Sequence, residues 1–185
     1  MIVTISGDLG SGKSSVCKAI NKEFGMKHFS VGDFVREMAA KRGMSLMELS
    51  KQAEKDPTID KEIDRMTEEL GKKEDNILID TRIGFHFIPH SIKVYLKTTP
   101  EKAAERIWRD IKEGKRNSEK EHQSYQDVLN AIKRRKKSEQ ERYLKYYQVD
   151  NQNMKNYDFV LDATNLTVDE EVNAVLDFLK TKIKL

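Results

Sequence analysis

Residues 1–14 constrain the fold of this chain more than any other stretch. Residues 2–6 (IVTIS) read as a buried strand, and they run directly into residues 7–14 (GDLGSGKS). The second segment fits G-x-x-x-x-G-K-S, the pattern of a loop that cradles phosphate groups with its backbone amides. Val16, Ile20 and Phe24 follow at helical spacing, so the pattern stands between a predicted strand and a predicted helix, as its chemistry requires.

The residue types in this loop suit a polyphosphate ligand. Glycines let the backbone turn and approach a ligand closely, so successive N–H groups can point at phosphate oxygens. The helix that follows presents its partly positive N-terminus, which favours an anion. We expect Lys13 to reach the β- and γ-phosphates and the Ser14 hydroxyl to bind Mg²⁺. The stretch therefore predicts nucleoside triphosphate binding, the alternative being an ordinary Gly-rich turn.

Composition indicates one globular domain in the cytoplasm. A chain of 185 residues can bury about 70% of its extended-chain surface, and its 37% apolar and 35% charged residues fit an α/β protein with well-solvated helices. No apolar run approaches the roughly 20 residues that span a bilayer, so no membrane partner is expected. A core strand predicted from Ile2 argues against a removable signal, and the single Cys17 cannot form an internal disulfide. We expect a monomer.

The net charge of +3 is unevenly placed. Residues 109–145 hold 12 Lys/Arg and 7 Asp/Glu, a balance of +5, which leaves −2 for the remainder. This local excess predicts a phosphate-rich small molecule as partner, and no nucleic acid. The basic run at residues 133–137 (KRRKK) cannot all face one way on a helix, so we expect it to form a solvated face.

Strands and helices alternate in the predicted chain, which specifies a three-layer α/β fold with a mostly parallel sheet. Apolar runs predict strands at residues 2–6, 27–30, 76–80, 92–96 and 157–162. Asp33 is expected to cap the helix after the second strand, and Ser45 with Glu48 forms a capping box. A long helix is predicted over residues 125–147. The closing helix is predicted to bury Val168, Val172, Val175, Leu176, Leu179 and Ile183 on one face.

Three regions are predicted within the single domain. The core comprises residues 1–30, 72–108 and 155–185, and residues 31–71 form a helical insert that closes over a second substrate. Residues 109–150 form a lid and the long helix. The helical pattern is interrupted at residues 114–118 (GKRNS), where Gly114, Lys115 and Arg116 are the predicted hinge or lid tip. Asp80 ends a strand and should face the loop of residues 7–14, where it would orient Mg²⁺ through water; a turn-forming aspartate is the alternative.

Arginines recur where strands and helices should point at the cleft, and guanidinium groups bind phosphates bidentately. They are Arg36, Arg82, Arg109, Arg116, Arg135 and Arg142. A triphosphate and a monophosphate together bring roughly six negative charges, which such groups would neutralise. Arg135, Ser138 and Arg142 stand three and four apart, so they share one helix face, although any single arginine can instead lie on a solvated face. GTPase signatures such as Asn-Lys-x-Asp are missing from the sequence.

These residues resemble nucleoside monophosphate kinases, and most of all the archaeal-type cytidylate kinases. The resemblance rests on the phosphate loop, residues 30–36 (SVGDFVR), Glu-Arg-Ile at 105–107 and Arg-x-x-Ser-x-x-x-Arg-Tyr at 135–143. It implies a P-loop kinase with a five-stranded parallel core, a helical monophosphate-binding insert and a mobile lid. The implied reaction transfers a phosphoryl group from ATP to CMP or dCMP with Mg²⁺.

The resemblance also implies a role for each matching position. ATP would be held by Gly7, Asp8, Leu9, Gly10, Ser11, Gly12, Lys13, Ser14 and Ser15, with Thr164 and Asn165 under the adenine. The monophosphate would be bound by Asp33, Arg36, Arg82, Arg135 and Arg142. The catalytic set would be Lys13, Arg109, Arg116 and Arg135, and the metal set Ser14 with Asp80 through water.

Departures from the family pattern keep other functions open. Asp8 stands where Pro is common, and its side chain could point outward, while Val31 replaces the Thr usual in adenylate kinases. Asp80-Thr81-Arg82 also lacks their Gly-Phe-Pro-Arg, which weakens an AMP acceptor. One alternative is a kinase for AMP, UMP or a metabolite alcohol, where Asp33 would be the base. The other is a non-catalytic nucleotide-binding or nucleic-acid-binding module.

Overall fold

One parallel sheet of five strands organises the described part of the chain, residues 1–116 and 122–182 of a computed structural model. Its strands are β1 (Ile2–Gly7), β2 (Lys27–Ser30), β3 (Ile77–Asp80), β4 (Ile92–Lys97) and β5 (Phe159–Asp162). Their order is β2-β3-β1-β4-β5, and every pairing is parallel. The connections leave β1 and β4 in opposite directions, and open α/β sheets bind ligands at the carboxyl ends of their strands near such a reversal.

Helices cover both faces of the sheet, which makes the predicted three layers. They are α1 (Lys13–Phe24), α2 (Val31–Lys41), α3 (Leu46–Ala53), α4 (Pro57–Lys73), α5 (Gly84–Phe87), α6 (Pro100–Lys112), α7 (Tyr125–Tyr147) and α8 (Val168–Lys182). On one face, the β1 side chains Val3 and Ile5 pack with Ile20 of α1 and Val175 of α8. On the other face, Ile77 and Ile79 of β3 pack with partly buried side chains of α4.

Local sequence signals place most helix ends correctly. Gly25 ends α1 in the left-handed region at φ 63°, and Ser45 and Glu48 form both bonds of the capping box before α3. The predicted cap of α2 is wrong. Ser30 is its N-cap, because the Ser30 hydroxyl accepts a hydrogen bond from the Asp33 amide, which places Asp33 inside the first turn.

The closing helix differs from its prediction at its start. Val168 was predicted to lie on the buried face, but it is 52% exposed. The buried face of α8 instead includes Val175 and Leu179. Ile183 of the predicted closing helix lies outside the described residues, and so do Asn117 and Ser118 of the predicted interruption at residues 114–118. Within residues 1–116 and 122–182, none of the helices combines the length and apolar character that a bilayer crossing requires.

Candidate active site

A cleft of about 670 Å³ opens at the carboxyl ends of β1, β2 and β3. The loop after β1 lies at one end, and the helical insert α2–α4 forms a wall at the other. Of the predicted site residues, the cleft is lined by Leu9, Gly10, Ser11, Gly12, Lys13, Ser14, Ser15, Arg36, Asp80, Arg82, Arg109, Arg116, Arg135 and Arg142. The fold therefore gathers residues from five separate stretches of the sequence around one cavity.

At Gly12, the loop of residues 7–14 adopts a backbone conformation that residues with a side chain rarely adopt. This residue adopts φ 89°, and a Cβ there would lie 2.0 Å from Oε2 of Glu171. Helix α1 begins directly after Gly12 and has no side-chain cap. Its first amides are therefore available to an anion in the cleft, which is the cradle that a polyphosphate requires.

Lys13 curls back over this loop. Its Nζ donates hydrogen bonds to the carbonyl oxygens of Gly7 at 3.1 Å and Asp8 at 2.7 Å. Burial, with a further contribution from nearby Arg82, lowers the pKa of Lys13 to about 8. A buried ammonium group gains stability from an added negative charge, so phosphate binding should favour the protonated lysine.

Ser14 and Asp80 fit the requirements of a magnesium site. Both line the cleft, and Asp80 ends β3 opposite Ile5 of β1, next to the loop. A hydroxyl and a carboxylate are hard oxygen donors, and Mg²⁺ in nucleotide sites takes one or two protein ligands together with phosphate oxygens and water. The residues present would therefore suit a metal ion bound together with the nucleotide.

Glu139 of α7 holds two of the predicted arginines. Its Oε2 lies 3.1 Å from Nε of Arg82, and its Oε1 lies 2.8 Å from Nε of Arg135. Arg82 also donates to the Gly7 carbonyl at 2.7 Å. Burial alone would raise the pKa of Glu139, but Arg82 and Arg135 hold it at about 2. The carboxylate thus stays charged and fixes both guanidinium groups toward the cleft.

Arg142 connects α7 with the helical insert. Its Nε donates to Oδ2 of Asp60 at 2.8 Å, and its Nη1 donates to the Ser138 hydroxyl at 2.6 Å. The Ser138 hydroxyl in turn donates at 2.7 Å to Glu54, the residue that follows α3. Ser138 and Arg142 therefore share one face of α7, as predicted, and this face contacts the helical insert.

The other arginines reach the cleft from more exposed positions. Arg36 of α2 pairs with Asp33, whose side chain is 65% exposed and does not line the cleft. Arg109 of α6 and Arg116 also line the cleft. Arg116 Nε lies 3.7 Å from Oδ2 of Asp110.

Some predicted ATP-binding residues lie beside the cleft instead of lining it. Gly7 and Asp8 face a smaller cavity, and Thr164 and Asn165 precede the segment Leu166, Thr167 and Val168 that does line the main cleft. The Asp8 side chain does not point outward. Its carboxylate accepts hydrogen bonds from the Thr98 amide at 3.0 Å and from Lys136 Nζ at 2.8 Å, which ties the phosphate loop to α7.

Sequence reasoning missed an ion pair that shapes the loop end of the cleft. Arg106 of α6 pairs with the buried Glu171 of α8 at 2.8 Å. The same guanidinium donates to the carbonyls of Ala163 at 2.9 Å, Leu166 at 3.0 Å and Gly10 at 3.4 Å. In the sequence, Arg106 was noted only as part of the Glu-Arg-Ile motif, and no motif pointed to Glu171. The pair could not be predicted from spacing, because its partners lie on different helices.

A model of the cytidylate kinase-like family matches residues 2–165. The chain belongs to the cytidylate kinase-like family. The cytidylate kinase of Sulfurisphaera tokodaii is 35% identical over 187 residues, which cover 98% of each chain. A protein named S-adenosylmethionine-dependent nucleotide dehydratase, from Lacinutrix mariniflava, is 33% identical over 176 residues, which are 95% of this chain and 35% of that protein.

The solved structures agree with this membership at the level of the fold. Shikimate kinase from Bacteroides thetaiotaomicron has a TM-score of 0.65 and 14% identity, covering 97% of this chain and 98% of its own. The predicted P-loop kinase fold is therefore confirmed. Membership of the cytidylate kinase-like family also confirms the predicted enzyme class, an ATP-dependent nucleoside monophosphate kinase.

Proposed function

We propose that this member of the cytidylate kinase-like family transfers the γ-phosphoryl group of ATP to CMP or dCMP, producing ADP and CDP or dCDP. The observation that carries the proposal is the single cleft that joins the phosphate loop to Arg36, Arg82, Arg135 and Arg142. Relatives that match nearly the full length of the chain carry the name cytidylate kinase, which supports the nature of the acceptor.

The loop end of the cleft suits the triphosphate. The uncapped start of α1 offers backbone amides, and Lys13 offers a buried ammonium group beside them. Arg106 holds Gly10 and the segment after β5 together, so it keeps this end of the cleft in shape. We assign the donor nucleotide to this end.

The insert end of the cleft suits the acceptor phosphate. Arg36 from α2 and Arg82 after β3 enter from the acceptor side, and Arg135 from α7 lies beside Arg82 on the shared Glu139. Because the acceptor phosphate oxygen is already ionised, the transfer needs alignment and charge neutralisation, and no general base. The chain supplies both with guanidinium groups that are held by a buried carboxylate.

Mg²⁺, when bound with the nucleotide, would neutralise charge on the phosphates, and Ser14 and Asp80 are the residues that would hold it. Arg109 and Arg116 would approach the phosphates from the lid side and help to exclude water. Exclusion of water matters because an open site would allow ATP to be hydrolysed without an acceptor.

The test is a panel of acceptors offered with ATP and Mg²⁺. CMP, dCMP, UMP, AMP and GMP are compared by ADP release, with the products identified by chromatography and with a reaction lacking acceptor as control. We expect kcat/KM for CMP or dCMP to exceed that of the other nucleotides by at least about tenfold. ADP release that does not depend on an acceptor, or turnover of none of these nucleotides, would contradict the proposal.

The structure bears on one of the alternatives. A metabolite alcohol would need a base beside it, and Asp33 was the candidate. Asp33 is paired with Arg36, is mostly exposed and does not line the cleft, so its position does not favour such an acceptor. AMP and UMP remain as the competing acceptors that the panel compares.

A further inference from the structure

The insert end of the cleft also contains an apolar slot. Its walls are formed by Val35 of α2, Leu49 and Ala53 of α3, and Ile59 and Ile63 of α4. Leu49, Ala53 and Ile59 are buried in the core cluster of the insert, so the walls are supported from behind. Apolar walls from three helices suit the faces of a flat ring, whereas phosphate groups would stay with the arginines.

Two carboxylates of α4 stand in this slot, one helical turn apart. Asp60 is only 5% exposed and receives Nε of Arg142 on its Oδ2 at 2.8 Å. Asp64 accepts a hydrogen bond from the Tyr147 hydroxyl. Asp60, Asp64 and Arg142 all line the cleft. A buried carboxylate beside a buried guanidinium offers an acceptor and a donor next to each other at an apolar site.

We propose that the Asp60–Arg142 pair recognises the base of the acceptor nucleotide and selects a base that carries an amino group, a ring nitrogen and a carbonyl oxygen in a row, as cytosine does and adenine does not. The inference rests on the proposed function, and it assigns the base selectivity of the same site to these residues. Asp60 accepts from the exocyclic amino group, while Arg142 donates to the ring nitrogen and the adjacent carbonyl oxygen.

Uracil presents the opposite pattern to this pair. Its O4 carbonyl would face the Asp60 carboxylate, and its N3–H would face the Arg142 guanidinium, so an acceptor meets an acceptor and a donor meets a donor. Polar groups left unpaired in a buried site cost affinity, which makes such a mismatch selective. Asp64 adds a second acceptor on the same side of the slot, which further disfavours a carbonyl group there.

The decisive variant is Asp60→Asn. Asparagine keeps the shape of the side chain and can still accept from Arg142, but it loses the charge and can donate to the O4 of uracil. The readout is the Kd of CMP, UMP and AMP by isothermal titration calorimetry, which needs no turnover. Glu68→Gln is the matched control, since Glu68 lies on the same helix and pairs at the surface with Lys72.

We expect wild type to bind CMP at least about tenfold more tightly than UMP, and Asp60→Asn to reduce that ratio by about tenfold or more. Asp64→Asn should shift the ratio in the same direction, and it serves as the test if Asp60→Asn fails to fold. Glu68→Gln should leave the ratio unchanged. A wild-type ratio near one, or a ratio unchanged in the folded variants, would overturn the inference. AMP binding as tight as CMP binding would also overturn it as an account of cytosine selection.

Failure of this inference can be separated from failure of the proposed function. If no acceptor is phosphorylated but the CMP-to-UMP binding ratio falls in the variants, the kinase reaction is wrong and the base-recognition pair stands. If CMP is phosphorylated and the ratio does not change in the variants, the reaction stands and the assignment to Asp60 and Arg142 is wrong.

Discussion

Oε2 of Glu139 lies 3.1 Å from Nε of Arg82, and this contact joins the middle of α7 to the loop after β3. Both side chains are at least four-fifths buried. Because Arg135 pairs with the other carboxylate oxygen, one glutamate determines the direction of two guanidinium groups that line the cleft. Arginines aligned in this way need little rearrangement when a phosphate arrives, which is the main requirement of phosphoryl transfer.

Glu139→Gln should lower kcat by about tenfold or more, because Arg82 and Arg135 lose the charge that orients them. It should also lower the free energy of unfolding by about 3 kcal/mol, since a buried ion pair loses one partner. Steady-state kinetics and urea denaturation measure the two effects. Glu141→Gln on the exposed face of α7 is the control and should change neither; equal kinetics for the two variants would refute the role of Glu139.

The stability that Glu139 contributes should depend on pH. Its pKa is about 2 in the folded chain and 4.5 ordinarily, so the unfolded state binds more protons in this interval. The stabilisation by ionised Glu139 is complete above the ordinary pKa of 4.5, and it is lost as the pH falls to the folded-state pKa of about 2. The difference in unfolding free energy between wild type and Glu139→Gln should therefore be similar at about pH 7 and pH 4.5 and should shrink toward pH 2.5. A difference that stays constant to pH 2.5 would argue against an ion pair.

Lys13→Ala should reduce kcat by at least about 10²-fold, because the ammonium group neutralises charge on the transferring phosphoryl group. Its thermal stability should be unchanged or higher, since burial lowers the pKa of Lys13 and so disfavours its charge in the folded chain. Lys18→Ala, on the exposed side of α1, is the control. Retention of most of the wild-type kcat by Lys13→Ala would exclude the proposed role.

Gly12→Ala and Gly25→Ala form a matched pair. Both glycines have left-handed backbones, with φ 89° and φ 63°, so each substitution should cost roughly 1 kcal/mol of stability. A Cβ on Gly12 also meets the Glu171 carboxylate at 2.0 Å, whereas nothing lies within 4 Å at Gly25. ATP affinity, measured by calorimetry, should therefore fall only in Gly12→Ala. Equal ATP affinity in the two variants would show that the loop tolerates the side chain.

Arg36→Ala should raise the KM of the acceptor with little change in the KM of ATP, because Arg36 enters the cleft from the insert. Arg65→Ala is the control, since Arg65 is exposed on α4 and pairs with Glu69 at the surface. Initial rates with each substrate varied in turn measure both constants. An acceptor KM that matches wild type would place the acceptor phosphate elsewhere.

The amino-acid sequence by itself determined the order of strands and helices and the phosphate loop. These features depend on neighbours within a few residues: the glycines of residues 7–14, the capping box at Ser45, and the 3.6-residue spacing of apolar side chains. Local signals failed at the start of α2, where Ser30 and not the predicted Asp33 is the N-cap, and they did not predict the four-residue helix α5.

Only the tertiary structure decided which charged groups meet. Glu139 with Arg82, Glu171 with Arg106, and Asp60 with Arg142 join residues from separate elements, so their contacts follow from how the helices pack on the sheet. The sequence of α7 carries charge on all sides, and its spacing does not indicate which carboxylate is buried. The assignment of roles within the cleft therefore depends on packing, because the pairing energy of a charge depends on its burial and its distance to a partner.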